Sequence, residues 1–344
     1  MFKKAFLFII LTVLLLAGCA SKKEDTDVKD KKGTHKDSAD SAFVYPLTGE
    51  PAKDKKDVDR RSIAVMVNNH PKARPQSGLK QADLVYEILA ESNITRFLAI
   101  YQSKFPEKVG PIRSARDYYI EIAKGYNSFF VFHGWSPDAK KLIQGGYIDS
   151  LNGLEHDGTL FKRASFRKAP HNSYITYENM IKGAEKKKIS LKSHTPSYAF
   201  LTDEETKNIQ GQEATGAKVS YSSADFDVIY QYNQESGKYK RSTAGNQTED
   251  YDSKEAVMID NIMIVEAPHK IIDDKGRRDI DLTAGGKALL LQKGKYVEVE
   301  WESRDGRIVP VKDGKEVKLV KGKTWINIVP VIPGLEQSVT FLND

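Results

Sequence analysis

Apolar positions fall into four regimes along this chain. Residues 5–16 form an apolar run broken only by Thr12 and preceded by Met1-Phe2-Lys3-Lys4. From 20 to 42 apolar residues almost vanish. Such a segment cannot bury enough surface to offset its ordering entropy, so it is expected to stay disordered. From 43 to 211, short apolar runs alternate with helical periodicity. Residues 61–67, 83–90, 95–101 and 128–132 read as strands. Ser114-Ala-Arg-Asp117 has the form of a capping box. Ser136-Pro137-Asp138 has the N-cap, first-turn proline and acidic residue of a helix start, with a stop at Gly145-Gly146. Thr176 and Thr202 open two more helices. Beyond Gly211, residues 217–221, 226–232, 258–265, 287–291, 296–301 and 324–329 alternate or are β-branched. Turn pairs such as Lys293-Gly294, Asp305-Gly306 and Asp313-Gly314 separate several of them.

The pattern predicts an α+β fold. A mixed N-terminal domain with helices on a sheet (43–211) precedes a mostly antiparallel β C-terminal domain (212–344). Residues 1–18 read as a signal segment, with a charged start, a short apolar core and the small pair Ala17-Gly18. The apolar run is shorter than the roughly 20 residues of a membrane span.

Composition sharpens the address more than the chemistry. Cys19 is the only cysteine among 344 residues. It stands directly after Leu16-Ala17-Gly18, a sequence that resembles a bacterial lipobox. The resemblance implies cleavage before Cys19, a lipid on its thiol, and a place on the outer face of the cell membrane. Two acyl chains, as a diacyl group supplies, are needed for stable anchoring. The segment 19–42 then acts as a tether. With one thiol, no intrachain disulfide or Cys-ligated zinc can form. The formal charge of +6 falls to +4 once Lys3 and Lys4 are removed. This mild excess favours anionic surfaces without selecting one.

Arginine is the scarce cation, and six of its 13 occurrences lie between His70 and Asn172. Its planar fork binds carboxylate or phosphate in a way lysine does not. Arg74, Arg96, Arg113, Arg116 and Arg163 sit in or beside turns and helix starts, with His133 and Ser136 in one loop and His171 and Asn172 in another. Gathered at one sheet edge, these nine residues would form a face for an anionic ligand or partner. Two helix N-termini would add backbone donors. The competing reading pairs the arginines with Asp83, Glu87, Glu91 or Asp117.

Established catalytic motifs fail on inspection. Gly134-Trp-Ser-Pro-Asp138 lacks the second glycine of a nucleophile elbow. Gly322-Lys323-Thr324 lacks the first glycine of a P-loop. No metal-ligand spacing joins His133, His156 and His171, and no cofactor is indicated. The Lys-Tyr-Lys-Arg241 segment reads as a solvated strand face rather than a nucleic-acid surface.

Taken together, Val67-Asn68-Asn69, Ala73–Leu79, Ile94-Thr-Arg96, Val109–Arg116, His133-Gly-Trp-Ser136, Phe161-Lys-Arg163, Ala169-Pro-His-Asn172 and Thr324–Pro330 resemble the YerB family of bacterial lipoproteins. The resemblance covers nearly all of the chain after Cys19. It implies two associated domains of unknown function and a layered β/β/α sandwich, and it brings no catalytic or binding residues with it. Trp135 is an unusual residue in its loop. Three functions follow as expectations. The first is a non-catalytic, lipid-anchored binding protein that uses the Arg/His face. The second is an envelope hydrolase using His133 or His171 with Ser136. The third is a scaffold that docks a membrane or envelope protein along an open sheet edge.

Overall fold

The computed structural model describes residues 43–342. The expected signal segment, Cys19 and the tether to residue 42 lie outside the described residues. A 12-stranded mixed sheet runs through the molecule in the order Lys315–Glu316, Arg307–Lys312, Lys295–Arg304, Gly286–Gln292, Asn261–Ala267, Thr324–Pro330, Leu84–Glu91, Ile94–Tyr101, Ile63–Asn68, Phe129–Phe132 and Ser150–Asn152, with Gln212–Glu213 beside Lys295–Arg304. Both halves of the chain contribute. Thr324–Pro330 lies between Asn261–Ala267 and Leu84–Glu91, parallel to both.

The central strands are buried on both faces, so they read as continuous apolar runs rather than alternating ones. One face carries a six-stranded sheet that includes Gly216–Val219, Val228–Asn233, Lys238–Thr243 and Val339–Leu342. There Val219, Tyr230, Tyr239 and Ile259 pack in one core with Val65, Val85, Phe97 and Trp325. The other face carries the helix Asp117–Gly125. Its Tyr119, Ile120, Ile122 and Ala123 share a second core with Met66, Tyr86, Leu98 and Ile326. The result is the β/β/α layering expected of the fold class. No helix among the described residues is long and apolar enough to cross a membrane.

Local signals mostly act as read. Ser136 caps Pro137–Gln144 by accepting from Ala139 N (3.3 Å). Thr202 forms a complete capping box with Glu205. The pairs Lys293-Gly294, Asp305-Gly306 and Asp313-Gly314 all take positive φ at both positions, as type I′ hairpin turns require. Two readings need correction. Ser114 caps no helix: Asp117–Gly125 begins after Arg116, and Ser114 Oγ donates to the His133 carbonyl (3.2 Å). Arg241 does not lie on a solvated face. Strand alternation turns Tyr239, Arg241 and Thr243 inward, and Arg241 is only 1% exposed.

Candidate functional site

Three parallel strands, Ile63–Asn68, Phe129–Phe132 and Ser150–Asn152, end at the same edge of the main sheet. Crevices beyond the carboxyl ends of parallel strands are where open α/β sheets take ligands. Here the edge gathers the loop after Asn68, the loop through Arg113, His133 just past its strand, and the loop from Arg163 to Asn172. The nine residues singled out in the sequence converge on this region, but they divide into two chemical sets.

The first set is internally neutralised. Arg96 and Arg116 both pair with Glu91, and Arg96 also donates to the Ser114 carbonyl (2.8 Å). Two guanidinium groups clamp one carboxylate, which leaves little charge for a ligand. Arg163 pairs with Asp157 (2.9 Å) and donates to Asn172 Oδ1 (3.2 Å) and His133 Nε2 (3.1 Å). Because His133 Nε2 accepts, its proton sits on Nδ1 and is donated to Ser173 Oγ (2.8 Å). Burial, then Arg163, lowers the His133 pKa. Both ring nitrogens are engaged, and Ser136 Oγ is occupied as a helix cap. His133 and Ser136 therefore do not form a base–nucleophile pair. The candidate carboxylates are likewise committed. Asp83 accepts from Gln102 N (2.6 Å) and Ser103 N (2.7 Å), while Glu87 pairs with Arg241.

The second set lacks such compensation. Among the described residues, Lys72, Arg74, Arg113 and Arg167 pair with no carboxylate. Arg167 donates to the carbonyls of Lys72 (2.9 Å), Arg74 (3.2 Å) and Pro75 (2.5 Å), so it lies against the first loop. Arg74 Nε donates to Asn69 Oδ1 (3.0 Å), its Nη2 is buried without a partner, and its guanidinium lies over the Phe226 ring. Arg113 is half-buried, and its side chain has no hydrogen-bond partner among the described residues. Burial, then Arg96, lowers its pKa to about 10. Burial, then Arg241, does the same to Arg74. These four cations surround His70 and His171, whose rings stack with centroids 4.4 Å apart. Both histidines have lowered pKa values, His171 falling to about 4. Burial is the main cause, and neighbouring cations, Arg113 among them, add to it.

Hydrogen bonding orients both rings. Asn68 Oδ1 accepts from His70 N (3.0 Å), so its Nδ2 is the group that meets His171 Nδ1 (2.9 Å). His70 Nδ1 accepts from Lys72 N (3.1 Å). With both Nδ1 atoms accepting, each neutral ring carries its proton on Nε2. Asp225 is the carboxylate that acts on both His70 and Arg74. Asn68, His70 and Lys72 are not among the nine candidate residues; Arg167, the sixth of the clustered arginines, is not among them either. The Asn-Asn-His-Pro-Lys string, with its polar side chains directly after a buried strand, was the available signal. The two helix starts do not add an anion site, because their first turns carry Asp117 and Asp138.

Other features stand apart. The three-histidine grouping does not assemble, and no group of three or more His, Cys, Asp or Glu side chains among the described residues is placed to hold a metal. Trp135 packs against Phe132. A groove of about 880 Å³ in the C-terminal half is lined by Glu266, Leu289, Glu298, Glu300, Leu335 and Phe341. It shares no residue with the cationic cluster.

Comparison with known proteins finds matches to two stretches of the chain. Residues 47–190 match the family described as "Protein of unknown function (DUF3048) N-terminal domain", and residues 217–326 match its C-terminal domain. A Bacillus subtilis (strain 168) protein named "Putative lipoprotein YerB" is 51% identical over 318 residues, 92% of each chain. The crystal structure of YerB protein from Bacillus subtilis superposes with a TM-score of 0.81 at 49% identity, covering 88% of this chain and all of that one.

Proposed function

Because this chain belongs to the DUF3048 family, one of whose members carries the name lipoprotein, we propose that it is a lipid-anchored binding protein of the outer membrane face. Cys19 carries the acyl group, and the segment to residue 42 is the tether. The folded part binds an anionic envelope component or the anionic surface of a protein partner. It does so through the cluster centred on Arg113. One observation carries this reading: among the described residues, four cations without carboxylate partners lie around two neutral histidines beyond the ends of three parallel strands of the mixed sheet. Uncompensated, half-buried positive charge is costly in a folded protein and is relieved by a bound anion. The full occupation of His133 and the capping role of Ser136 weigh against the hydrolase reading.

The test separates the two arginine sets. The full chain is assayed for binding to dextran sulfate as a generic polyanion. Arg113→Gln should weaken binding about tenfold, equivalent to about 1.4 kcal/mol, without loss of thermal stability. Arg116→Gln should lower stability through the loss of its Glu91 partner and leave binding nearly unchanged. Equal binding by Arg113→Gln and the parent would overturn the assignment.

A further inference from the structure

The cluster also specifies the kind of anion, provided that it is the binding site proposed above. We infer that it takes a dianionic phosphoryl group, held by the Nε2–H groups of His70 and His171 together with Arg113.

The argument begins with what the rings offer. Each histidine spends its only lone pair inside the protein, His171 on Asn68 Nδ2 and His70 on the backbone N–H of Lys72. What remains is two N–H donors and no acceptor. The near-parallel stacking at 4.4 Å (26° between planes) keeps them as neighbours. Arg113 adds a fork that has no partner among the described residues. A set of donors favours ligand groups that only accept, such as oxyanions, over hydroxyls and amides, whose own N–H or O–H would find fewer partners there.

Charge then discriminates among oxyanions. Lys72, Arg74, Arg113 and Arg167 bring four formal positive charges without a paired carboxylate. Glu87, which also acts on Arg74, is already neutralised by Arg241 (2.7 Å). Asp225 offsets one charge at most. Against the three charges that remain, a carboxylate or phosphodiester would leave about two unbalanced and a dianion about one. A terminal phosphate brings close to two negative charges and three acceptor oxygens, which matches the donors from several directions.

The same geometry sets how binding depends on protons. His70 faces Lys72, Arg74, Arg113 and Asp225; His171 faces His70, Lys72, Arg113 and Arg167. Burial first, and these cations second, keep both rings neutral near pH 7. Protonating either ring would place a hydrogen on Nδ1, against the Asn68 Nδ2 or Lys72 N donor from which it accepts, so the rings stay neutral donors and the affinity for a fixed dianion changes little on mild acidification. Sulfate isolates this behaviour, because it stays dianionic across the range while phosphate titrates.

The experiment is calorimetric titration of the full chain with inorganic phosphate, glycerol 3-phosphate, a glycerol phosphodiester, sulfate and acetate. Phosphate and the monoester should bind alike, with the diester and acetate at least tenfold weaker. Sulfate should bind about equally at pH 5.5 and pH 8, and several-fold tightening in acid would show that a ring gains a proton on Nδ1 and would overturn the tautomer assignment. In ¹⁵N-resolved spectra of the unliganded protein, His70 and His171 should both show the Nε2–H tautomer. Acetate binding as tightly as phosphate, or an Nδ1–H tautomer at His171, would overturn the inference. If dextran sulfate still binds through Arg113 while phosphate does not, only this inference falls. If dextran sulfate binding is insensitive to Arg113, the site itself falls.

Discussion

Replacing Arg241 with methionine tests the physical core of this fold. Arg241 is 1% exposed and Glu87 wholly buried, and they pair at 2.7 Å between the two sheets. Arg241 Nη1 also donates to Thr248 Oγ1 (2.7 Å), and its guanidinium lies 5.2 Å from the Phe97 ring centroid and 5.0 Å from that of Trp325. Glu87 further accepts from Thr95 Oγ1 (2.9 Å) and Asn69 Nδ2 (3.2 Å). Arg241→Met fills similar volume but leaves an uncompensated carboxylate in the interior. Breaking a buried pair from one side costs about 3–5 kcal/mol, a large share of a typical net stability of roughly 5–15 kcal/mol. Glu87→Gln should cost less, about 2–3 kcal/mol. The remaining cation keeps its two aromatic faces, which contribute roughly 2 kcal/mol when desolvated. The double variant should recover about 2 kcal/mol relative to the sum of the singles, since neither charge is then left alone. Urea unfolding followed by tryptophan fluorescence reads all three, with Trp325 reporting at the site itself. A loss under about 1 kcal/mol in Arg241→Met, or strict additivity of the two singles, would refute the account of the network.

Two further outcomes follow from the structure. A Cβ at Gly153 would lie 2.3 Å from His133 Nδ1 and 2.4 Å from its Cγ; Gly153→Ala should therefore displace the ring, break its bond to Ser173 and cost about 1–3 kcal/mol, whereas an unchanged or raised melting temperature would show that the ring has room. Acid should destabilise the protein between about pH 6.5 and 4: His171 and His269 both fall to about 4 when folded, chiefly through burial, so the unfolded chain binds more protons in that window and their share of stability is lost as pH falls. Burial raises Asp83 to about 6, which works the other way over the same window; these three groups give a net slope of about 1.4 kcal/mol per pH unit, to which the lowered His70 and His133 add in the same direction, and urea midpoints that hold steady or rise on acidification from pH 7 to 4.5 would contradict it.

Much of this architecture was legible along the chain because it is local. A β-branched run, a capping threonine or an Asp-Gly turn acts through neighbours a few residues away. The strands at 63–68, 84–91, 94–101 and 324–330, the Ser136 and Thr202 caps, and the type I′ turns accordingly stand close to where the pattern put them. Ser114 is the instructive failure. Its spacing suits a cap, yet its hydroxyl is drawn to the His133 carbonyl by a strand arriving from elsewhere.

The sequence alone determined the layered α+β character, the clustering of arginine and histidine in the first half, and the single thiol at Cys19. It could not determine which arginines are free. That depends on where a carboxylate arrives from another part of the chain. Glu91 reaches Arg116 from the end of the strand Leu84–Glu91, and Glu87 reaches Arg241 across 154 positions. Arg113 has the same residue type and nearly the same surroundings in sequence as Arg116, but no carboxylate comes to it. Tertiary structure decided that difference. Ion pairing falls off within a few ångströms in a polarisable medium, and only the folded sheet sets distances on that scale between residues so far apart in the chain.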